Sequence, residues 1–287
     1  MSAHFPVSDH CDGHRFFNPR GQVDRTLLDV LRWKFGSKAA AWESRVVISP
    51  GSIPARPQDD SVAVTWINHA TFLIQARGLA LITDPIYSEI AGPLGRIGPR
   101  RVHAPGIRFD DLPDLRAVLL SHDHYDHCSL ADIEKLRGPH TLVIGNERVA
   151  AEIGDCMVIR PWQCVTIDRV SVKAVPAYSP NHWRHPADEG GLGFVISANM
   201  YDIYYAGDTQ RIPEMADIQP DIAILPIDGD GTMNAQEAAE LVETMRPRWA
   251  IPSNWGTASE GASKAEALAF KEQAEGICEV CLLPQTS

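Results

Sequence analysis

The stretch that decides the fold is Ala117-Val118-Leu119-Leu120-Ser121-His122-Asp123-His124-Tyr125-Asp126-His127-Cys128. Its apolar start predicts a buried strand. Residues 122–127 bring together three imidazoles and two carboxylates, which would repel one another and lack hydrogen-bond partners in an ordinary loop. A divalent cation resolves this conflict, because imidazole nitrogen and carboxylate oxygen are the ligands that zinc and related metals take from proteins. The sequence therefore predicts a metalloenzyme whose ligands lie on a rigid turn between a strand and a helix.

The composition narrows the class of protein. A chain of 287 residues with 44% hydrophobic and 22% charged residues can bury a sizeable core. The 26 Lys and Arg against 37 Asp and Glu give a formal net charge of −11. This acidic balance argues against nucleic acid as a partner, because neutralising phosphates requires clustered cations. An anionic substrate is still compatible with it, since a bound metal supplies local positive charge.

The chain lacks the usual signals of membrane insertion or secretion. No apolar run approaches the roughly 18 residues of a spanning helix, and the first residues lack the basic start and apolar block of a secretory signal. The six cysteines are scattered, which favours a reduced, cytoplasmic protein. Cys278 and Cys281 form a lone C-x-x-C, which we interpret as two structural thiols rather than a redox or zinc pair.

Two regions differ along the chain. Residues 1–60 are irregular, with an amphipathic stretch at 27–33 and a Pro-rich connector at 50–57, and we expect them to pack on or strap the main domain. Residues 61–287 alternate short apolar runs with helical segments, which predicts an α/β domain. The expected strands are 62–66, 72–75, 79–83, 117–120, 141–144, 170–175, 193–197, 202–206, 222–225, 249–251 and a terminal strand within 277–283. Ser129, Asn234 and Ser263 are predicted helix N-caps, the last two with a glutamate three residues on.

Polar side chains follow several of these strands at the point where each strand ends. They are Asp84, His122, His182, Asp208 and Asn254. Strand ends of one scaffold can converge, and functional side chains usually lie on loops held by a rigid frame. We therefore expect these residues to meet along one rim.

The pattern resembles the metallo-β-lactamase superfamily over about residues 62–283. A narrower set of motifs is similar, in the same order, to the branch of N-acyl-phosphatidylethanolamine phospholipase D, with ascorbate-6-phosphate lactonases as more distant relatives. The motifs are W-I-N-H-A-T at 66–71, T-D-P-I-Y-S at 83–88, G-P-R-R at 98–101, S-H-D-H-Y-D at 121–126, S-P-N-H-W at 179–183, A-G-D-T at 206–209 and N-W-G-T at 254–257. The resemblance implies an αββα sandwich, in which two mixed β-sheets are flanked by helices.

The resemblance also implies a set of metal ligands. His122, His124 and His182 would hold a first ion, Asp126 and His127 would contribute to a second, and Asp208 would bridge both. Zinc is the first expectation, with manganese or iron as alternatives. The chain departs from the family at residue 254, where Asn254 stands in place of the usual histidine ligand. An amide oxygen is neutral and harder than imidazole, so one or two bound ions are both compatible with this sequence.

Further residues have expected roles beside the metal. His69 and Asp84 would orient the ligands through hydrogen bonds, as partners of metal ligands commonly do; the alternatives are a strand-end histidine and a turn aspartate. The expected catalytic residues are Asp126, Asp208 and His182. The expected lining of the substrate cleft is Tyr178, Trp183, Arg184 and His185.

These expectations lead to metal-assisted hydrolysis, in which bound cations lower the pKa of a water that attacks phosphorus or carbonyl carbon. The leading hypothesis is hydrolysis of a phosphodiester, in a small molecule or a lipid such as an N-acylated phospholipid, with peripheral membrane contact in the lipid case. A lactonase or carboxylic-ester hydrolase is the second hypothesis. A catalytically silent binding module, suggested by Asn254 alone, is the third.

Overall fold

We describe a computed structural model of the chain, in which residues 57, 60–92, 100–257 and 261–282 are described. The predicted N-terminal extension lies outside these residues except for Pro57 and Asp60, so its packing stays a prediction. Within the described part no helix is long and apolar enough to cross a membrane. The described cysteines are all free thiols.

The first half of the described chain forms a six-stranded mixed sheet. Strands β1, β2 and β3 pair antiparallel, and β3 to β6 pair parallel, in the spatial order β1-β2-β3-β4-β5-β6. Mostly apolar residues, with Leu and Ile prominent, fill β2 and β3, whose side chains are nearly all buried on both faces. The strands are β1 (Val62–Asn68), β2 (Thr71–Ala76), β3 (Leu79–Thr83), β4 (Ala117–Leu119), β5 (Leu142–Gly145) and β6 (Met157–Val158).

The second half forms a seven-stranded sheet that repeats this plan. Strands β7 to β10 pair antiparallel and β10 to β13 pair parallel, in the order β13-β12-β11-β10-β9-β8-β7. Both sheets are therefore mixed. The strands are β7 (Cys164–Ile167), β8 (Val170–Pro176), β9 (Leu192–Ala198), β10 (Tyr201–Tyr205), β11 (Ile222–Pro226), β12 (Trp249–Ser253) and β13 (Glu279–Val280).

Among the described residues, four α-helices flank the sheets and three apolar clusters lie between the layers. The central cluster joins side chains of both sheets, including Phe72 and Phe194. A second cluster packs the other face of the seven-stranded sheet against α3 (Ala235–Met245) and α4 (Lys264–Gln273). A third packs the other face of the six-stranded sheet against α1 (Leu130–Leu136) and α2 (Glu147–Ile153). The predicted αββα sandwich is thus confirmed.

Local signals located most of these elements. The three predicted N-caps are confirmed, and Asn234 and Ser263 form complete capping boxes with Glu237 and Glu266. The prediction missed β6, β7 and α2. β6 has two residues, both exposed, and β7 has four residues at the edge of its sheet, of which one is buried. Both segments are too short for a clear apolar pattern.

Candidate metal centre

The polar side chains that follow the strands come from both sheets and lie along one edge of the sandwich. The six-stranded sheet supplies His69 from the turn between β1 and β2, Asp84 after β3 and the cluster after β4. The seven-stranded sheet supplies the loop after β8, Asp208 after β10 and Asn254 after β12. Four of the five residues predicted to meet lie together at this edge, and His182 lies beside Asp230 instead. The four are Asp84, His122, Asp208 and Asn254.

One group of ligand atoms contains His122, His124 and His185, all within 4.8 Å of one another. The His185 ring centroid lies 4.6 Å from that of His124 and 4.9 Å from that of His122. All three come from loops beyond strand ends, and His122 and His185 are buried. This is a three-imidazole arrangement of the kind that holds a transition metal.

His182, the histidine expected in this group, does not join it. Its Nδ1 accepts a hydrogen bond from the backbone N–H of Arg184, and its Nε2 lies 3.9 Å from Asp230 Oδ1. A Cβ on Gly231 would come within 2.7 Å of the same Nδ1, so a residue without a side chain is needed beside this ring. The loop thus presents His185 to the group, and His182 lies three residues earlier against Asp230.

A second group contains His69, Asp126 and His127, again with ligand atoms within 4.8 Å of one another. The His69 and His127 rings meet edge to face with centroids 5.2 Å apart. His69 Nε2 is 3.8 Å from Asp126 Oδ2, which is too long for a hydrogen bond. His69 was expected to orient a ligand, but the structure places it among the candidate ligands themselves.

Asp208 lies between the two groups. Its Oδ2 is 3.2 Å from His127 Nε2 and 3.6 Å from His185 Nε2, so one carboxylate oxygen approaches a histidine of each group. Its Oδ1 accepts a hydrogen bond of 2.7 Å from the side-chain amide of Asn254. This is the position that a bridging carboxylate requires.

Asp84 orients two histidines at once. Its carboxylate accepts hydrogen bonds from His127 Nδ1, the Tyr205 hydroxyl, and both the backbone N–H and the hydroxyl of Ser121. Because the Ser121 hydroxyl donates to Asp84, its oxygen accepts from His122 Nδ1, 2.8 Å away. Asp84 therefore directs the Nε2 atoms of both histidines towards the centre, directly for His127 and through Ser121 for His122. The ligand atoms of Asp84, His122 and His127 also lie within 4.8 Å of one another. Because the Asp84 oxygens already accept four hydrogen bonds, we do not assign Asp84 as a metal ligand.

Several buried polar atoms at this edge lack hydrogen-bond partners among the described residues. They are His69 Nδ1, His69 Nε2, His122 Nε2, His127 Nε2 and Asn254 Oδ1. Buried polar groups are normally satisfied, because an unpaired one costs about 1–3 kcal/mol. Nitrogen lone pairs gathered beside carboxylates are the donor set of a divalent cation, so these residues fit a bound metal.

The pKa shifts of the histidines at this edge also fit a metal site. Burial lowers the pKa of His122 well below its ordinary value and lowers the pKa of His185 to about 4, which keeps both imidazoles neutral as metal ligation requires. Burial alone would lower the pKa of His127, but the carboxylates of Asp208 and Asp84 outweigh it and raise that pKa well above the ordinary value. The carboxylates around His127 therefore favour positive charge at this position.

The other residues expected to line the substrate cleft, Tyr178, Trp183 and Arg184, contact side chains close to them. Trp183 is 63% exposed, and the Arg184 guanidinium lies 5.8 Å from its ring centroid and 2.8 Å from Asp230 Oδ2. The Tyr178 hydroxyl donates to Glu214. Sequence analysis missed Ser121, Tyr205 and Asp230, and only Ser121 carried a signal, by its place beside the histidine cluster.

Comparison with known proteins identifies the family of this chain. Residues 63–254 match the family model described as the Beta-lactamase superfamily domain. A UPF0173 metal-dependent hydrolase of Pyrobaculum neutrophilum is 31% identical over 213 residues, which cover 68% of this chain and 84% of that protein. The N-acyl-phosphatidylethanolamine-hydrolyzing phospholipase D 1 of Caenorhabditis elegans is 24% identical over 245 residues, covering 72% of this chain and 67% of that protein.

Solved structures show the same fold. Igni18, a metallo hydrolase from Ignicoccus hospitalis, superposes with a TM-score of 0.62 at 22% identity, covering 79% of this chain and 96% of that one. The matched residues 63–254 include both groups of candidate ligands and Asp208. The chain belongs to the metallo-β-lactamase superfamily, among its metal-dependent hydrolases.

Proposed function

We propose that this hydrolase cleaves a phosphodiester bond, in an N-acylated phospholipid or a smaller analogue. The observation that carries the proposal is the pair of ligand groups joined by one Asp208 oxygen. Sites with two metal ions are frequent in enzymes that act on phosphate esters, because two cations can stabilise the attacking and the leaving oxygen together. The similarity to a phospholipase D of Caenorhabditis elegans supports the same chemistry.

The ligand assignment follows the two groups. His122, His124 and His185 would hold one ion, Asp126 and His127 would hold the other, and Asp208 would contact both. Nitrogen and carboxylate ligands favour zinc first, with manganese or iron as alternatives. When bound, such ions would supply Lewis acidity and lower the pKa of a coordinated water.

The chain's own residues prepare the site in three ways. Asp84 and Ser121 orient the rings of His127 and His122, so little rearrangement is needed when substrate arrives. Asp126, whose side chain is 42% exposed, is the carboxylate open to the cleft, and we assign it to orienting the attacking water and accepting its proton. His182 lies outside the ligand groups beside Asp230, so its catalytic role would be towards substrate rather than metal.

The cleft residues suit an anionic, partly apolar substrate. Arg184 lies next to the His185 ligand, and its guanidinium can form paired hydrogen bonds with phosphate oxygens on exchange from Asp230. Exposed Trp183 beside it offers an apolar surface for an acyl chain or for a membrane. A phospholipid would place its phosphate against Arg184 and its acyl chains against Trp183.

A substrate panel tests the proposal. Zinc-, manganese- and iron-loaded protein would be assayed for release of headgroup from N-acylated phospholipid vesicles, for cleavage of a small chromogenic phosphodiester, and for ring opening of lactones. We expect phosphodiester turnover that disappears in the chelated protein and in His122→Ala. Lactone hydrolysis without phosphodiester cleavage would support the alternative carboxylic-ester hydrolase, and no turnover above the chelated control would support the silent binding module.

A further inference from the structure

Residue 254 has a different task in this chain from the one its family resemblance implies. The amide nitrogen of Asn254 donates to Asp208 Oδ1 at 2.7 Å. The reverse amide orientation would set its oxygen against the carboxylate oxygen, which is repulsive, so the nitrogen faces Asp208. Asn254 therefore holds the bridging carboxylate, and its oxygen is turned away from that carboxylate.

His69 carries the imidazole that residue 254 lacks. Its imidazole is 12% exposed, and both ring nitrogens are buried without a hydrogen-bond partner among the described residues. The ring shares a group with Asp126 and His127 in which the ligand atoms lie within 4.8 Å. An imidazole buried in this way is costly unless a nitrogen binds something, and its neighbours here are the candidate ligands of the second ion.

Residues 69 and 254 are neighbours in space. The backbone N–H of Asn254 donates to the His69 carbonyl at 3.4 Å, and the His69 N–H donates to the Thr257 hydroxyl at 2.7 Å. Both residues have positive φ, 39° at His69 and 60° at Asn254, a conformation in which histidine and asparagine are enriched among non-glycine residues. The β1–β2 turn and the loop after β12 therefore present neighbouring side chains to the same edge.

We propose that His69 is the imidazole ligand of the second metal ion, and that it replaces the histidine which the family places at residue 254. The assignment rests on the proposed metal centre. The second ion would then be held by His69, Asp126 and His127 with Asp208. The imidazole ligand would come from the β1–β2 turn instead of the loop after β12. An orienting role for His69 through a hydrogen bond to Asp126 does not fit the separation of 3.8 Å.

The test compares variants of the two loops by metal content and by cobalt spectroscopy, neither of which depends on substrate. The variants are His69→Asn, Asn254→Ala, and the exchange variant His69→Asn with Asn254→His. Asparagine is chosen at 69 because it tolerates the positive φ there, and His69→Gly is the second choice if that protein does not fold. His140→Ala, at an exposed position, is the control.

Each protein would be dialysed against zinc and analysed for ions per chain, and against cobalt for its ligand-field absorption. We expect two ions for the wild type and for the control. We expect Asn254→Ala to keep both ions with an affinity lowered by no more than about 10–100-fold, because it loses only a hydrogen bond to Asp208. We expect His69→Asn to keep one ion and to lose affinity for the other by more than ~100-fold, beyond the 10–100-fold typical of an orienting partner. The exchange variant should regain the second ion and its cobalt spectrum.

The opposite results overturn the inference. Two tightly held ions in His69→Asn would exclude His69 as a ligand, and a loss of affinity for the second ion by more than ~100-fold in Asn254→Ala would assign the role to the amide oxygen. A wild type that holds one ion would refute the second site while leaving the first intact. A wild type that binds no metal would refute the metal centre itself, so the two failures are distinguishable.

Discussion

At the scale of single residues, the loop after β8 contains two histidines in the run His182-Trp183-Arg184-His185. Either imidazole has the chemistry of a ligand, and residue spacing favours neither. The path of the loop decides between them, because it presses His185 against His122 and His124 and leaves His182 beside Asp230. The assignment of the first ion to His185 is therefore a proposal from tertiary contacts.

The first prediction compares alanine variants of these two histidines. His185→Ala should lose the first ion and with it nearly all hydrolysis, because three imidazoles form that group. His182→Ala should keep its metal content, and any loss of turnover there would reflect contact with substrate. Metal analysis by mass spectrometry measures both. Full metal in His185→Ala together with depleted metal in His182→Ala would return the role to His182.

The second prediction concerns Asp84, which orients His127 directly and His122 through Ser121. Asp84→Asn keeps the size but lacks the charge and part of the accepting capacity, so metal affinity should fall by about 10–100-fold. Tyr205→Phe is the matched control, since it removes one donor to Asp84 without touching either histidine. Metal titration checks both variants, and an unchanged affinity in Asp84→Asn would contradict the orienting role.

The third prediction uses His103, a buried histidine away from the ligand groups. Burial lowers its pKa below the ordinary value of 6.5, with Nδ1 against the Ala104 carbonyl and Nε2 buried without a hydrogen-bond partner among the described residues. As pH falls through 6.5, the unfolded chain binds a proton there that the folded chain does not, so acid reduces the free energy of unfolding.

The measurement is urea unfolding of His103→Gln between about pH 7 and about pH 5. Glutamine does not titrate, so this variant should lose part of the acid-induced destabilisation seen in the wild type. His140→Gln, at an exposed position, should follow the wild-type pH profile. Identical slopes for His103→Gln and the wild type would show that His103 contributes nothing.

Among the secondary-structure elements, α3 begins at a capping box that is local in sequence. Asn234 accepts a hydrogen bond from the Glu237 N–H while the Glu237 side chain accepts from the Asn234 N–H, which completes a capping box at α3. The helix then buries Leu241 and Val242 against the seven-stranded sheet. Its cap was predictable because the pattern is local in sequence.

The fourth prediction is that Asn234→Ala destabilises the fold by about 0.5–2 kcal/mol, since the first-turn N–H loses its acceptor. Gln236→Ala, two residues along at an exposed position, should change the free energy of unfolding by less than about 0.5 kcal/mol. Chemical denaturation with the metal-loaded protein measures both. Equal effects of the two substitutions would show that the cap is not stabilising.

Across the whole molecule, the candidate metal centre draws its side chains from both sheets. His122, His124 and Asp126 follow a strand of the six-stranded sheet, whereas Asp208 and His185 belong to loops of the seven-stranded sheet. Metal that binds these side chains together binds the folded state far better than the unfolded chain. The ion should therefore stabilise the packing of one sheet on the other.

The fifth prediction is that chelation lowers thermal stability. Each ion present at 100 times its dissociation constant contributes about 2.7 kcal/mol, and each kcal/mol corresponds to roughly 2–4 °C in Tm for a domain of this size. Scanning calorimetry with and without chelator measures the shift. His122→Ala should show a much smaller shift, and an equal shift in that variant would attribute the effect to something other than this centre.

Sequence patterns predicted most strands, three helix starts and the ligand chemistry, whereas the layered arrangement was implied by the family resemblance. Apolar runs located most strands, caps located three helices, and H-x-H-x-D-H after a buried strand indicated metal, because these signals depend on neighbours along the chain. Tertiary structure alone decided which loop residue reaches the edge. His185 rather than His182, His69 beside Asp126, and Asp84 shared by two histidines depend on distances between segments far apart in sequence, which no local pattern encodes.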